Sequence, residues 1–494
     1  MLLRLTTEQD NGVKVIDPTG EMLEASWEEY ATKLANLADP QAALQYLEQL
    51  AVTLGIALSK APACLVLAGR DTRKSSPSLQ QALMDGVKAL GAEVLDAGEV
   101  TTPELHSFVA GINSSADPVR LVDAHYKDAF LAAFRSLTAA WPAPPTPVKL
   151  VIDAANGVGA ANAIHFAGQL PSINATVVNT ARENLNEGCG ADFVKTGQRA
   201  PALGVEWPPA SKNMRFASFD GDADRVVFYY GGGADGSEFR LLDGDKIAAL
   251  IALHLGELVR TSGADVSKLS IGVVQTAYAN GSSTQFLRAS NVKTALAKTG
   301  VKYLHAVAHE FDIGIYFEAN GHGTVLFSDA ATAVIKAEVA SGVNGTRHAL
   351  AGTPSTDAYD PGPAVELLNF SRLINQTVGD ALSDMLVVEA ILWRRQMTSS
   401  EWDALYNDLP NVLAKVVVPD RGAFTTTNAE TTLVTPSGLQ DKINEAVRQY
   451  PFGRSFVRPS GTEDVVRVYA EADTKENAVA LSEMVVKLVA DACQ

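Results

Sequence analysis

Cysteines are scarce in this sequence, and long apolar runs are missing. The three cysteines, Cys64, Cys189 and Cys493, are odd in number and far apart among 494 residues. That pattern excludes both a disulfide framework and a cysteine-based zinc site, and it favours a reducing compartment. The first residues lack the apolar segment of a secretory signal, and no apolar run reaches the length of about 18 residues that a membrane helix needs. We therefore expect a cytoplasmic protein.

Positive charge is also in short supply. Lys and Arg number 40 against 57 Asp and Glu, which gives a formal net charge of −17. A protein this acidic repels nucleic acid and anionic membranes, so we expect neither as a partner. Any site for a phosphate must then be built locally, from a few cationic side chains brought together.

The order of apolar runs and loops predicts an α/β protein of several domains. Three segments, which begin at Cys64, Lys149 and Ser270, each place a strand-like apolar run before a small or polar loop and a helical pattern. Ligands of such domains lie beyond the carboxyl ends of the strands. A proline-rich stretch, a glycine-rich stretch and a late change of pattern divide the chain into domains at 1–141, 147–237, 238–396 and 397–494, and the last is a smaller α+β unit.

The strongest chemical signal is an acidic loop between two strand-like runs, Asp220-Gly-Asp-Ala-Asp-Arg. The carboxylates of Asp220, Asp222 and Asp224 repel one another unless a hard cation neutralises them, and oxygen ligands on a short loop suit Mg²⁺. An EF-hand is excluded, because Arg225 stands where its glycine belongs and Gly231 where its glutamate belongs. Arg225 also departs from the pattern of a phospho-aspartyl phosphatase. A solvated acidic turn is the simpler alternative.

A second motif gathers arginines and hydroxyls, from Arg454 through Arg458-Pro-Ser-Gly-Thr to Arg467. Two or three guanidiniums with loop N–H groups make a cradle for phosphate oxygens. Arginines that only form surface ion pairs are the alternative interpretation, and such pairs contribute little to stability.

A third motif, Phe317-Glu-Ala-Asn-Gly-His-Gly-Thr, puts a carboxylate and an amide two residues apart in a glycine-rich loop. Glu318 and Asn320 could hold adjacent sugar hydroxyls, although an ordinary turn would look similar. His322 is as readily a structural histidine as a ligand. Lys302 adds a cation on another loop.

These motifs resemble those of the α-D-phosphohexomutases, and within that superfamily the eukaryotic phosphoacetylglucosamine mutases. The resemblance runs from about Asp10 to the end of the chain. It also includes the segments Asp10-Asn-Gly-Val-Lys, Asn186-Glu-Gly-Cys-Gly-Ala-Asp-Phe-Val-Lys and Val274-Gln-Thr-Ala-Tyr-Ala-Asn-Gly-Ser-Ser. It implies three α/β mixed-sheet domains and a smaller α+β domain around a central cleft. It implies interconversion of N-acetylglucosamine 6-phosphate and 1-phosphate on the route to UDP-N-acetylglucosamine.

The same resemblance assigns roles to residues. One Mg²⁺ per chain would lie on Asp220, Asp222 and Asp224, and a sugar bisphosphate would act as activator or intermediate. Arg225, Lys302 and His322 would support the site. The residues expected to bind the sugar and its phosphate are Glu318, Ala319, Asn320, Arg458, Pro459, Ser460, Gly461, Thr462 and Arg467.

One family motif has no counterpart in the printed residues. The family carries Thr-Ala-Ser-His-Asn-Pro just before its Asp-Asn-Gly-Val-Lys segment, and its serine bears the transferred phosphate. Ungapped counting back from Asp10 puts Arg4 at that place, and Thr6 and Thr7 lack the flanking residues. The nucleophile is therefore unassigned, and we expect negligible turnover from the chain as written. A truncated gene model, an isoform and a true loss would look alike.

Two further functions stay open at this point. The chain could be a catalytically silent relative that still binds sugar phosphates, or a hexose-phosphate mutase that acts on glucose or mannose.

Overall fold

The structure is a computed structural model in which the chain divides into two compact units, Met1–Glu99 and Val100–Gln494. It describes residues 6–9, 12–15, 33–34, 36–37, 39–53, 65–89, 91–114, 123–143, 149–202, 207, 214–342, 362–461 and 463–493.

The first unit contains one parallel strand pair and one hairpin. Strands β1 (Thr6–Gln9) and β2 (Gly12–Val15) are antiparallel, whereas β3 (Leu65–Arg70) and β4 (Glu93–Glu99) are parallel. Helices at Pro40–Thr53 and Ser76–Ala89 accompany them. The buried Gln80 ties the second helix to the parallel pair, because its amide donates to the Ala68 carbonyl at 3.2 Å and to Asp96 at 2.8 Å.

The second unit begins with two helices, Thr102–Ser114 and Asp123–Thr138, and continues into a mixed five-stranded sheet. Its order is β6-β5-β7-β8-β9, with parallel pairing among the first three strands and antiparallel pairing after them. The strands are β5 (Lys149–Asp153), β6 (Ala175–Val178), β7 (Met214–Phe219), β8 (Val226–Gly232) and β9 (Glu238–Leu242). Every residue of β7 and β8 is buried, so the acidic loop between them starts and ends on fixed backbone.

A second mixed sheet follows, in the order β11-β10-β12-β13. Its strands are β10 (Ile271–Gln275), β11 (Lys293–Leu296), β12 (Ile313–Phe317) and β13 (Gly323–Phe327). One apolar core includes Phe228 of the first sheet, Leu250 of the helix Gly244–Thr261 and Val273 of the second sheet, so these two domains pack as one body. The helices between β5 and residue 410 are Gly159–Gln169, Ala191–Gly197, Gly244–Thr261, Gly281–Ala289, Val301–Ala308, Asp329–Ser341, Pro363–Leu373, Ala381–Arg395 and Ser399–Asp403.

The C-terminal part has a core of its own around an antiparallel three-stranded sheet. Its strands β14 (Asn411–Val417), β18 (Val465–Glu471) and β17 (Arg454–Pro459) pair in that order, and β15 (Thr425–Thr427) and β16 (Thr432–Thr435) form a hairpin. Helices Leu439–Val447 and Lys475–Asp491 cover the sheet. The predicted fold class is confirmed.

Three further predictions can be compared with the structure. β9 extends the first large sheet to Leu242, past the boundary predicted at residue 237. Cys189 and Cys493 are free thiols. Within the described ranges, no helix combines the length and the apolar character that crossing a membrane requires.

One buried ion pair holds the first large sheet to a helix. Arg215 of β7 donates two hydrogen bonds of 2.7 Å to Glu389, and both side chains are buried. We predict that Glu389→Gln lowers the free energy of unfolding by about 3 kcal/mol, because it leaves a buried guanidinium without its counter-charge. Urea denaturation checks this. Glu238→Gln, in an exposed pair with Arg240, is the control and should cost less than about 1 kcal/mol. Equal effects of the two variants would contradict the prediction.

Candidate functional site

The three carboxylates of the acidic loop converge in the folded chain. One oxygen each from Asp220, Asp222 and Asp224 lies within 4.8 Å of the others. The backbone fixes this arrangement, since Asp220 accepts hydrogen bonds from the N–H groups of Asp224 at 3.1 Å and Arg225 at 3.2 Å. The Thr102 hydroxyl holds Asp222 from a neighbouring helix, at 2.8 Å.

The electrostatics of this loop favour a bound cation. Burial, then the charges of Asp224 and Asp222, raises the pKa of Asp220 well above its ordinary value. Burial, followed by the charge of Asp222, raises the pKa of Asp224 to about 6. One buried oxygen of Asp224 accepts no hydrogen bond from the part of the chain that the structure describes. Three crowded acids with an unused oxygen are the donor set that a hard divalent cation takes.

Arg225 supplies the nearest positive charge. Its guanidinium lies 3.4 Å from Asp220, 3.6 Å from Asp224 and 3.0 Å from Asp192. One guanidinium shared by several carboxylates reduces their repulsion without removing it. The supporting role expected for Arg225 stays a prediction.

The turn that carries Glu318 and Asn320 lies directly against the acidic loop. It joins β12 to β13, and its Gly321 carbonyl accepts the Val226 N–H at 3.2 Å. Gly321 has a φ of +88°, and a Cβ there would lie 2.0 Å from the Val226 carbonyl oxygen. Only glycine allows this approach. The backbone thus links the acidic loop to the turn of the third motif.

His322 sits between these two loops. Its Nδ1 is 3.5 Å from Asp224, and burial, followed by the charge of Arg225, lowers its pKa to about 4. The imidazole is therefore neutral near pH 7. Its buried Nε2 has no hydrogen-bond partner among the described residues. The supporting role expected for His322 stays a prediction.

Glu318 and Asn320 point into the same half-buried space. The Glu318 carboxylate accepts from the Gly300 N–H at 3.0 Å and from the Asn320 amide at 3.3 Å, and Asn320 accepts from the His322 N–H at 3.0 Å. Ala319, between them, is half-buried. The pair offers both acceptors and donors at one spot, as adjacent hydroxyls require.

The phosphate motif forms the turn between β17 and β18. Arg458 and Arg467 are directly opposite in the register of these strands, next to Pro459 and its partner Val466. Ser460 is buried and donates its N–H to Val465 at 2.9 Å. Gly461 is exposed, whereas Thr462 lies outside the described residues. The buried Nε of Arg467 has no partner in those residues, so an anion could take it.

The third arginine of this motif has a different use. Arg454 donates to the carbonyl oxygens of Ala277 at 2.7 Å and Ala279 at 2.5 Å, and it pairs with Glu471 at 3.2 Å. Its guanidinium therefore joins the C-terminal sheet to the loop after β10. The phosphate cradle has two arginines rather than three.

Glu430, which the sequence did not single out, links a loop of the third predicted domain to Arg458. Its carboxylate accepts from the N–H and hydroxyl of Thr299, at 3.0 and 2.6 Å, and lies 3.2 Å from Arg458. Thr299 precedes Gly300, the residue that binds Glu318. Only the folded chain shows this, because residues 299 and 430 are distant in sequence.

The remaining predictions concern Lys302 and the N-terminal residues considered for the nucleophile. Lys302 is exposed, and its ammonium lies 4.9 Å from the centre of the Tyr303 ring. Arg4 lies outside the described residues, and Thr6 and Thr7 belong to β1 of the separate first unit.

Comparison with known domain families gives four matches along the chain. Residues 38–117 match the phosphoglucomutase/phosphomannomutase alpha/beta/alpha domain I, and residues 413–488 match the C-terminal domain of that family. Residues 115–227 and 243–397 match domains II and III of "Phosphoacetylglucosamine mutase AMG1". The order is that of four phosphohexomutase domains.

Whole-chain relatives agree with these matches. The chain is 46% identical to the human phosphoacetylglucosamine mutase, over 95% of this chain and 83% of that protein. It is 44% identical to that of Candida albicans, over 97% of this chain and 87% of that protein.

Solved structures give the same result. A crystal structure of N-acetylglucosamine-phosphate mutase in its product complex matches with a TM-score of 0.83 and 44% identity, over 97% of this chain and 86% of that one. The Aspergillus fumigatus N-acetylphosphoglucosamine mutase, in complex with GlcNAc-6P and magnesium, matches with a TM-score of 0.80 and 41% identity, over 97% and 91%.

The contact between Glu430 and Arg458 leads to a prediction. Glu430→Gln removes a negative charge from the guanidinium and keeps an oxygen that accepts from Thr299. We expect inorganic phosphate to bind about fivefold more tightly, a gain of roughly 1 kcal/mol typical of a partly exposed ion pair. Calorimetric titration with phosphate measures this. Glu463→Gln, in an exposed pair with Lys415, is the control. Unchanged or weaker phosphate binding by Glu430→Gln would show that Glu430 does not compete for Arg458.

Proposed function

This chain belongs to the phosphoacetylglucosamine mutase family, and we propose that it interconverts N-acetylglucosamine 6-phosphate and N-acetylglucosamine 1-phosphate with Mg²⁺ bound at Asp220, Asp222 and Asp224. The relatives described above are named for that activity. The geometry of the second unit supports the same activity for this chain.

One observation carries the proposal: the three motif loops are joined by an unbroken run of contacts. The turn that carries Glu318 and Asn320 is called the sugar turn below. The acidic loop is hydrogen-bonded to it through Val226 and Gly321. The sugar turn bonds to the Thr299-Gly300 loop through Glu318. That loop reaches Arg458 through Glu430. A cation site, a hydroxyl-binding pair and a phosphate cradle held in one network are what a sugar-phosphate mutase requires.

The acidic loop would hold the cation. Its crowded carboxylates and the unused oxygen of Asp224 fit Mg²⁺, and the magnesium complex of the Aspergillus fumigatus relative supports that choice. Bound there, Mg²⁺ would neutralise charge that develops on the transferred phosphoryl group. Arg225 and the neutral His322 would keep the carboxylates in place.

The sugar turn would bind hydroxyls. The Glu318 carboxylate is already oriented by the Gly300 N–H, and Asn320 is oriented by the His322 N–H. Side chains held in this way lose little conformational entropy when a ligand arrives. Ala319 lies between them and would contribute backbone contacts.

The cradle between β17 and β18 would hold the phosphate that is not reacting. Arg458 and Arg467 match phosphate oxygens in a forked geometry, and Pro459, Ser460 and Gly461 lie beside them. Thr462, outside the described residues, keeps its predicted role in binding the phosphate. A cradle that accepts either the 6-phosphate or the 1-phosphate lets the sugar turn over between two half-reactions. A sugar bisphosphate would be the species that reorients. The residue that carries the transferred phosphoryl group is unassigned.

A metal-binding test follows from the acidic loop. We expect Asp224→Asn to weaken Mg²⁺ binding by at least about tenfold, since it removes one of three carboxylate ligands. Calorimetric titration with MgCl₂ measures the affinity. Asp235→Asn, on an exposed glycine-rich turn, is the matched control and should bind as the wild type does. Equal affinities in all three proteins would rule out this loop as the cation site.

Binding measurements on two variants with two ligands test the sugar-binding and phosphate-binding assignments together. We expect Arg467→Ala to weaken inorganic phosphate and N-acetylglucosamine 6-phosphate alike, each by about tenfold, because it removes a charged donor. Glu318→Gln should weaken only the sugar phosphate. A coupled turnover assay with catalytic sugar bisphosphate gives the reaction itself. If both variants weaken both ligands equally, the division into a sugar turn and a phosphate cradle is wrong.

A further inference from the structure

Tyr278 lies on the phosphate-binding face of the C-terminal sheet, although it belongs to the loop after β10. Its ring contacts Phe456 of β17 at 5.0 Å and Tyr469 of β18 at 5.9 Å, measured between ring centres. Alternate residues of a strand share a face, so Arg458 and Arg467 are on that same face. The register confirms this, because Phe456 is opposite Tyr469 and Arg458 is opposite Arg467.

Tyr278 lies close to both arginines, and Arg458 contacts its ring. The Arg458 guanidinium carbon lies 5.8 Å from the centre of the Tyr278 ring. The charges of Arg458 and Arg467 lower the pKa of Tyr278, against the larger opposite effect of burial. The net shift is upward, so the hydroxyl keeps its proton at neutral pH and is available as a donor.

No hydrogen bond within the described part of the chain accounts for this hydroxyl. It is buried and has no hydrogen-bond partner there, and the same holds for the Nε of Arg467 beside it. A buried donor left unpaired is unfavourable, and two guanidiniums at opposite strand positions repel each other. An anion between them would satisfy the hydroxyl, the Nε and both charges at once.

An unpaired tyrosine hydroxyl alone would not support this conclusion. Tyr229 has one too, but its ring stacks on Phe216 at 5.1 Å and packs near Trp207 and Phe239. What distinguishes Tyr278 is the pair of arginines on its face of the sheet.

We propose that Tyr278 is a phosphate-binding residue whose hydroxyl donates a hydrogen bond to an oxygen of the phosphate held by Arg458 and Arg467. The inference rests on the proposed function for the identity of the natural ligand. The loop after β10 would then be part of the phosphate cradle. Residues of both the third and the fourth predicted domains would contact the phosphate.

The test compares Tyr278→Phe with Tyr229→Phe in the full chain. Phenylalanine keeps the ring contacts and removes only the hydroxyl. The thermal midpoint should therefore stay the same or rise, because an unpaired buried donor is lost. Titration with inorganic phosphate and with N-acetylglucosamine 6-phosphate should show about tenfold weaker binding of both by Tyr278→Phe, as expected for a bond to a charged group. Tyr229→Phe should bind as the wild type does. Unchanged phosphate affinity in Tyr278→Phe would overturn the proposal.

A second readout uses the unmodified protein. Phosphate added to the wild type should perturb the ultraviolet absorbance of a tyrosine, and that difference signal should vanish in Tyr278→Phe. A signal that persists in the variant would contradict the role of Tyr278. Phosphate binding that depends on Tyr278, together with no detectable binding of N-acetylglucosamine 6-phosphate, would leave this proposal standing and remove the proposed function instead.

Discussion

Repulsion among three carboxylates at the end of a buried strand pair is the constraint on which the rest of the site depends. β7 and β8 are buried along their whole lengths, so the loop between them cannot spread its acids into solvent without breaking the sheet. Burial raises the pKa values of Asp220 and Asp224, which measures how unfavourable the bare charges are. A protein with a net charge of −17 has little general attraction for anions, and a bound cation would turn this acidic loop into a place where a phosphoryl group is tolerated.

The loops near the three carboxylates are positioned by backbone contacts as well as by side-chain contacts. Gly321 allows the sugar turn to touch the acidic loop, and Arg454 fixes the C-terminal sheet to the loop after β10 through two carbonyl oxygens. Precise placement matters in phosphoryl transfer, where catalysis is mostly positioning and electrostatics. Glu430 adds a contact of another kind, because it places a negative charge on an arginine that a phosphate would also use.

Local chemistry was predictable from the sequence, and long-range contacts were not. The strand-like runs on either side of the acidic loop predicted β7 and β8, which are buried along their whole lengths. The uses of Arg454, Glu430 and Tyr278 depend on residues more than a hundred positions away, and no periodicity within a motif reports such pairings. The domain boundaries at 1–141, 147–237, 238–396 and 397–494 stay predictions.

The central claim is that the acidic loop and the arginine cradle serve one ligand. A crystal structure of the full chain with Mn²⁺ and N-acetylglucosamine 6-phosphate tests it most directly, because anomalous scattering locates the manganese without bias. The account predicts a manganese peak among Asp220, Asp222 and Asp224, and a phosphate or sugar density that continues from Glu318 to Arg458 and Arg467. A manganese peak elsewhere, or a sugar phosphate bound away from both loops, would contradict it.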